Sequence, residues 1–539
     1  MRIKNILATI VLAATGAMGI QAQEYLNYYG YKGNGYIPLD EIEGITIGVD
    51  TTEITSQLSR DSRATIYYKA LQVTGLESII NSNFYDYSYD ANAYGYYYYT
   101  SNIGRNVATV PDYKAQGYTL FVTPDLVLAE KYNITTLEGL AAKAKELYDQ
   151  TYPADAGLYD QDYTHPKNPL NRFMRYTVLK CDVKDLDRLT GLMLHQGVVQ
   201  GVLGVKTDLA NPTDWYQTLL PNTLMKCEQL TMSQYVGNGT KEDFYINRRY
   251  DANFQIEGTH ISRATSAAGF NGHCYYVDDL VALTPEVRDI VQNTRIRMDF
   301  STVFPELTTL DIRQNGDPTK DDDMNKVDFN FVNGRNYIFP EGYLDGLTWI
   351  RDCHFVYCRP HWNFWYYQGD EFRIFGNYDI EFRLPPVPYS GEWQVRLGVC
   401  ALPTRGIAQI HFDGVPQGEP IDFGLYLTDE SILGRNFNSY QNMTDEEIIA
   451  EQKLLKAKGY YRAPWSAYFT TGNSINHFTT NANTYRRVVC QTYIDNTQEH
   501  YLRIQCVSEK GAKEFSLDYI ELVPKSFYDV PEGEMEDDL

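Results

Sequence analysis

The stretch WQVRLGVC, residues 393–400, decides the fold of the second half of the chain. Its apolar residues stand at every second position (Trp393, Val395, Leu397 and Val399) and alternate with Gln394, Arg396, Gly398 and Cys400. Successive side chains of a strand point to opposite faces, so this period of two predicts a β-strand. We expect one face of that strand to be buried and the other to lie in water.

The same alternation extends outward along the chain. It recurs over residues 377–384 and 408–412, where it ends at the turn dipeptide Asp413-Gly414, and a last strand is predicted over 515–523. One helix interrupts the strands, since Thr444 and Glu447 form a capping box and Gly459 stops the segment. Residues 328–525 are therefore predicted to form an all-β sandwich.

The first half has a mixed texture. Thr135 and Glu138 match a capping box ahead of a helical apolar stripe, and short strands are predicted over 118–122 and 274–277. We expect an α+β domain over residues 53–291, a linker over 292–327 before the sandwich, and an acidic tail over 526–539.

The N-terminus has the pattern of a secretory signal peptide over residues 1–22. A basic start, Met1–Asn5, precedes an apolar run, Ile6–Ile20, and Ala22 is placed for cleavage. Residues 23–52 follow as a Tyr- and Gly-rich leader. We expect an exported chain at the bacterial cell envelope or cell surface, with no transmembrane segment after cleavage.

Charge and cysteine content limit the possible partners. With 47 Lys and Arg against 70 Asp and Glu, the net charge of −23 repels phosphate backbones, so nucleic acid is not an expected partner. Of the eight Cys residues, Cys490 and Cys506 flank a turn-like stretch, 495–499, and are predicted to lie nearly opposite on a hairpin. A disulfide and two packed thiols both fit that placement.

Three stretches of the first half resemble the fasciclin domain in the order that family has them: GYTLFVTPD (117–125), LNRFMRYTVL (170–179) and FNGHCYYVDDLVAL (270–283). The second of these is similar to the family's central strand, with Thr177 in place of its usual His. The resemblance implies a fasciclin-like, β-rich wedge with helices, no catalytic machinery and a link to adhesion.

The second half resembles the tails attached to fasciclin domains in exported Bacteroidetes proteins. Its ending, FSLDYIELVP (515–524), is similar to the last strand of galactose-binding-like jelly rolls. That resemblance implies a carbohydrate-binding-like sandwich, in a protein that accompanies an outer-membrane glycan-uptake system.

The strongest local candidate for a ligand site is RPHWNFWYYQGD, residues 359–370. Planar aromatic rings flanked by polar side chains suit the flat faces of sugars, so the candidate ligand-binding residues are Arg359, Trp362, Asn363, Trp365 and Tyr366. The alternative is that Trp362, Phe364 and Tyr366 alternate into the core. The acidic run 317–326 lacks the Gly and Glu of a calcium loop and is interpreted as a solvated loop, so neither metal nor cofactor is expected.

Three classes of function remain. The leading one is a non-catalytic surface protein for adhesion or glycan binding, with a polysaccharide or a surface protein as its partner. The second is a structural subunit of an outer-membrane transporter complex that uses the Tyr-rich stretch 85–100 as its contact surface. The third is a glycoside hydrolase, which needs only two suitably placed carboxylates. Because no nucleophile or metal-hydrolase motif occurs in the sequence, we expect no enzyme.

Overall fold

A computed structural model describes residues 25–30, 33–38, 52–82, 85–86, 107–111, 113–186, 189, 213–231, 242–250, 256–313, 336–351, 353–358, 367, 370–464, 468–471, 474–508, 513–531 and 536. The predicted signal peptide lies outside these residues. The chain divides into two compact units, residues 1–51 and 52–539. In the first unit, within the predicted leader, β1 (Tyr25–Gly30) pairs antiparallel with β2 (Gly33–Pro38).

The second unit contains a seven-stranded sheet backed by helices. Its strand order is β7 (Val178–Leu179), β6 (Tyr118–Val122), β12 (Gly272–Val277), β11 (Ile256–Gly269), β10 (Glu242–Tyr250), β9 (Leu224–Thr231) and β8 (Thr213–Gln217). Strands β6 and β12 are parallel, and both were predicted from sequence. The helices that share its core are α1 (Ile54–Leu58), α2 (Thr65–Val73), α3 (Leu76–Asn81), α4 (Asp125–Tyr132), α5 (Leu137–Thr151) and α6 (Pro169–Tyr176).

Two expectations for the first half of the chain need correction. Helix α5 is confirmed, but its cap is Thr136, whose hydroxyl accepts the N–H of Gly139. The central strand that the fasciclin resemblance implied over 170–179 is not found, because most of that stretch is α6. Asn168 caps this helix by accepting two backbone N–H groups, and Pro169 at the first helical position is preorganised for a helix start.

Three five-stranded sheets surround a second core, so the protein is β-rich. The central sheet has the order β13 (Ile296–Asp299), β28 (Tyr519–Pro524), β19 (Gly391–Cys400), β25 (Thr484–Ile494) and β22 (Tyr460–Arg462). The second has β27 (Glu514–Leu517), β17 (Glu371–Phe375), β16 (His354–Cys358), β14 (Asn336–Phe339) and β4 (Val107–Thr109). The third has β15 (Leu347–Arg351), β18 (Asp379–Arg383), β26 (Tyr501–Cys506), β20 (Ile407–Phe412) and β21 (Val415–Asp422).

The remaining elements are two short strand pairs and three helices. Strand β3 (Tyr85–Asp86) pairs with β5 (Lys114–Ala115), and β23 (Tyr468–Thr471) pairs with β24 (Ser474–His477). The last helices are α7 (Pro305–Thr309), α8 (Asp445–Ala457) and α9 (Lys525–Tyr528). The capping box of α8 is confirmed, with Gly459 beyond its end at a φ of 75°. Within the described residues, no helix is long and apolar enough to span a membrane.

The alternation in β19 predicts the burial of one face correctly, but it predicts the exposure of the other face wrongly. Trp393, Val395 and Leu397 are fully buried, as predicted. The opposite face does not lie in water, because Arg396 is also 0 % exposed and Gln394 is buried beside it. Helix α9 packs against β19, and Glu536 contacts Arg396 from outside the sheet. Charged partners therefore replace water on this face.

Two predictions at the end of the chain also need correction. The strand predicted over 515–523 is two strands in different sheets, because the carbonyl of Asp518 accepts the N–H of Phe300 and its carboxylate accepts that of Tyr367. The hairpin expected for Cys490 and Cys506 is wrong, since β25 and β26 belong to different sheets. Both cysteines are buried free thiols.

The stretch assigned to a linker begins with core structure. Strand β13 pairs with β28, and Ile296, Met298 and Phe300 are buried in the second core. Residues 314–327 of that stretch lie outside the described part of the chain.

Candidate functional site

The polar face of the central sheet gathers arginines around one carboxylate. The strand register places Arg297 of β13 and Arg396 of β19 on either side of Glu521 of β28. Arg486 of β25 and Arg295, just before β13, complete the group. We call these four arginines and Glu521 the arginine cluster.

Glu521 is the fixed anion of the arginine cluster. Its side chain is fully buried and accepts a hydrogen bond of 2.7 Å from Nε of Arg297. Burial alone would raise the pKa of Glu521, but the charges of Arg486, Arg297, Arg295 and Arg396 outweigh it and lower the pKa to about 2. The carboxylate therefore stays ionised in the interior.

A second carboxylate reaches the arginine cluster from outside the sheet. Glu536 lies in no helix or strand, and its two carboxylate oxygens accept hydrogen bonds of 2.8 Å from Nη1 and Nη2 of Arg396. Nη2 of Arg295 donates to it at 2.5 Å. Burial opposes its ionisation, but the hydrogen bonds and charge of Arg396, helped by Arg295 and Arg486, lower the pKa of Glu536.

Arg396 is held rigidly for this two-pronged contact. Its Nε and Nη2 donate to Oε1 of Gln394 at 3.0 and 2.8 Å, and Gln394 is fixed in turn by Gln491 at 2.9 Å. The ring of Tyr461 lies 3.8 Å from the guanidinium carbon, which is a cation–π contact. The planar fork of an arginine in such a setting matches a carboxylate closely.

A cavity of about 190 Å³ opens beside Glu536. Helix α8 forms one wall, β22 and β25 form another, and Val530, Pro531 and Glu536 complete the lining. Its lining residues are Tyr440, Ile449, Gln452, Lys453, Leu455, Lys456, Tyr460, Tyr461, Arg462, Arg486, Val530, Pro531 and Glu536. We call this space the tyrosine–arginine pocket.

The walls of the tyrosine–arginine pocket are fixed by buried pairs. Arg462 bonds to Glu451 of α8, with Nε and Oε1 separated by 2.7 Å, and its guanidinium lies 4.0 Å from the ring of Tyr440. Gln452 donates to the hydroxyl of Tyr440, and Lys456 donates to the carbonyl of Tyr528. Helix α8 is therefore tied to β22 and to α9.

The pocket combines aromatic rings with positive charge in a chain of net charge −23. Three tyrosines, two lysines and two arginines line it, and as far as the described residues go Glu536 is its one acidic side chain. Burial raises the pKa of Tyr461 to about 12, so its hydroxyl stays protonated at neutral pH. These groups donate hydrogen bonds, attract anions and offer flat apolar faces.

Two other hollows among the described residues fit a ligand less well. One of about 40 Å³ is bordered by Lys180, Arg383 and His500, with little more room than a water molecule needs. The other, near Asn293 and Tyr389, is larger at about 370 Å³, but it is a shallow depression that is wide open to solvent. Among the described residues, no group of three His, Cys, Asp or Glu side chains is arranged to hold a metal ion.

The ligand-binding residues predicted from the sequence are not among the residues that the structure describes. Arg359, Trp362, Asn363, Trp365 and Tyr366 lie outside the described residues, as do the acidic run 317–326 and most of the Tyr-rich stretch 85–100.

Two members of the aromatic stretch are described. Asp370 is buried and accepts a hydrogen bond from the hydroxyl of Tyr357 at 2.6 Å. Tyr367 packs against Tyr519, with ring centroids 5.1 Å apart, and lies 6.0 Å from the guanidinium of Arg297. One end of the predicted aromatic site thus borders the arginine cluster.

Sequence reasoning missed the arginine cluster and the pocket. A signal was present in the polar positions of predicted strands, where Arg396 stands in β19 and Glu521 in β28. Charges of both signs on the supposed wet faces of strands are compatible with a paired, buried layer. The contribution of Glu536 left no local pattern, because it lies 140 residues from Arg396.

No known family model matches the chain, and no curated protein is similar to it.

Proposed function

We propose that this chain is a non-catalytic binding protein for glycans, and that the tyrosine–arginine pocket holds one sugar ring. The observation that carries the proposal is the set of groups around the 190 Å³ cavity, which combines three tyrosine rings with four cationic side chains. Sugar recognition uses both kinds of group, since rings stack on the C–H faces and charged donors bind the oxygens.

The size of the cavity sets the extent of the contact. At about 30 Å³ for each water molecule, 190 Å³ corresponds to roughly six waters, which is less than the roughly 300 Å³ and more of a drug-sized pocket. One ring of a longer glycan would enter the cavity while its neighbours stay outside. Binding of a terminal residue or a side branch is the mode this favours.

The test begins with a glycan array probed with residues 23–539, followed by calorimetric titration of the glycans that bind. We expect Tyr440→Ala to weaken binding about fivefold, since a stacked aromatic contact contributes about 1 kcal/mol. Lys453→Ala should weaken binding in the same direction. The matched control is Tyr493→Ala, which removes a tyrosine that is 61 % exposed and does not line the pocket.

The same titration separates the pocket from the aromatic stretch predicted from sequence. If Trp362→Ala and Trp365→Ala abolish binding while Tyr440→Ala and Lys453→Ala leave it unchanged, the sugar site lies in the stretch 359–370 and not in the pocket. If no glycan binds any of these proteins, the proposed function is wrong. Release of reducing ends from a bound glycan would instead favour the hydrolase.

We also propose that the protein is exported and displayed at the cell envelope, where glycan binding or adhesion would support an outer-membrane glycan-uptake system. The support for export is the pattern of residues 1–22, and cell fractionation tests it. The fasciclin and jelly-roll resemblances remain proposals. The first and third fasciclin-like stretches contain β6 and β12, which are paired neighbours, whereas the second forms α6.

A further inference from the structure

We propose that the tyrosine–arginine pocket selects sugars that carry a carboxylate, such as uronic acids, and that Glu536 is an internal stand-in which the ligand displaces. The inference rests on the proposed function and adds the ligand class and a regulatory contact. It begins from the carboxylate of Glu536, which is bound by Arg396 and Arg295 at the end of the cavity.

The two carboxylates of the arginine cluster are held differently. Glu521 belongs to β28, which is paired on both sides, so it cannot leave without breaking the central sheet. Glu536 belongs to no helix or strand, and within the described part of the chain its carboxylate is bound by the side chains of Arg295 and Arg396. Glu536 can therefore withdraw while the sheet stays intact.

Arg396 is a preorganised receptor for whichever carboxylate is present. Two hydrogen bonds to Gln394 and the stacked ring of Tyr461 fix its guanidinium, so little side-chain freedom is lost when a ligand binds. A fully buried guanidinium that loses a carboxylate partner is strongly destabilised. When a ligand carboxylate replaces Glu536, Arg396 has a carboxylate partner both before and after the exchange. The site is therefore a switch between a state occupied by Glu536 and a state occupied by the ligand.

The cavity adjoins Glu536, so a carboxylate in its place would put the attached ring among the tyrosines. Tyr461 contacts Arg396 on one side and lines the cavity on the other, and it joins the anion position to the ring position. A uronic acid has its carboxylate directly on the sugar ring, as this arrangement requires. A neutral sugar lacks the group that would release Glu536.

The internal stand-in weakens the binding of every outside carboxylate. A short tether holds a group at an effective concentration on the order of millimolar, and an outside carboxylate must compete with it. Weakening the contact of Glu536 should therefore raise the affinity for acidic sugars and leave neutral sugars unaffected.

The experiment compares residues 23–539 with Glu536→Gln and with Asp538→Asn, which makes the same change of charge two residues further along the sequence. Each protein is titrated calorimetrically with sodium D-glucuronate and with D-glucose. We expect Glu536→Gln to bind glucuronate at least about tenfold more tightly than the other two proteins, or about 1.4 kcal/mol, with no gain for glucose. Glucuronate should also raise the melting temperature of Glu536→Gln the most.

Equal glucuronate affinity in all three proteins would overturn the inference while glycan binding in the pocket stands. A failure of every glycan to bind would instead overturn the proposed function, so the two failures are distinguishable. Should Glu536→Gln not fold, hydrogen exchange of the unaltered protein gives the answer. Glucuronate, but not glucose, is expected to accelerate exchange in the peptide over 530–539, and unchanged exchange would contradict displacement.

Discussion

Replacing Glu521 by Gln removes the negative charge at the centre of four buried arginines, and we expect it to destabilise the fold by about 3 kcal/mol. The magnitude follows from the pKa of Glu521, which falls from an ordinary value of 4.5 to about 2 in the folded protein. Each pKa unit corresponds to about 1.4 kcal/mol, so the stabilisation of the ionised form is about 3 kcal/mol. Loss of one partner from a buried ion pair has a similar cost, about 3–5 kcal/mol.

The pH dependence gives the prediction a second, independent part. Because folding lowers the pKa of Glu521, its contribution is fully present above the unfolded value of 4.5 and disappears as the pH falls through about 2. The difference in stability between the two proteins should therefore be largest near neutral pH and shrink steadily in acid. In Glu521→Gln this part of the acid dependence is absent.

Urea unfolding of both proteins at a series of pH values between about 7 and about 2 measures this difference directly. The matched control is Glu392→Gln on the neighbouring strand β19, where Glu392 and Lys525 form a half-exposed pair at 3.0 Å. An exposed pair contributes at most about 1 kcal/mol. If Glu521→Gln unfolds at the same urea concentration as the control at neutral pH, or if its deficit persists undiminished in acid, the assigned role of Glu521 is refuted.

Three further changes test other parts of the fold. Asp370→Asn should stabilise the protein increasingly as the pH rises. Burial and the neighbouring Asp299 raise the pKa of Asp370, so the unaltered protein loses stability as the pH rises above the unfolded pKa of 3.8. If the difference in urea midpoint between the two proteins is the same at pH values of about 5 and 8, this prediction is contradicted. Gly398→Ala should cost about 1–3 kcal/mol, since its Cβ would collide with the ring of Tyr519, and an unchanged melting temperature would contradict that packing. Thr444→Ala should cost about 1 kcal/mol by removing the cap of α8, seen as faster hydrogen exchange in that helix, and exchange that is unchanged there would show the cap to be dispensable.

The elements that sequence predicted well are those whose signal is local. The strand around Trp393 and the helix capped by Thr444 each depend on a pattern within about a dozen residues, and both are confirmed. Alternation shows which residues share a face of a strand, but it does not show what covers that face. Arg396 has the spacing of an exposed residue, yet it is fully buried because Glu521 and Glu536 arrive from distant parts of the chain.

Predictions of secondary structure failed where tertiary contacts or a helix cap outweighed the pattern of apolar residues. Residues 515–523 have an uninterrupted strand pattern, but contacts of Asp518 with Phe300 and Tyr367 divide it between two sheets. The stretch 170–179 lacks a strong period, so the cap at Asn168 and the proline that follows it decide for a helix. The pocket could not be foreseen, because α8, β22 and Glu536 share no sequence signature.

The position of β28 between β13 and β19 has a consequence for biogenesis. Arg297 of β13 meets Glu521 of β28 across a separation of 224 residues, so β13 emerges from the ribosome long before its partner exists. Until then β13 and β19 each present an open edge to which other nascent chains can add. We therefore expect closure of the central sheet by β28, a strand of high contact order, to be a slow step in folding.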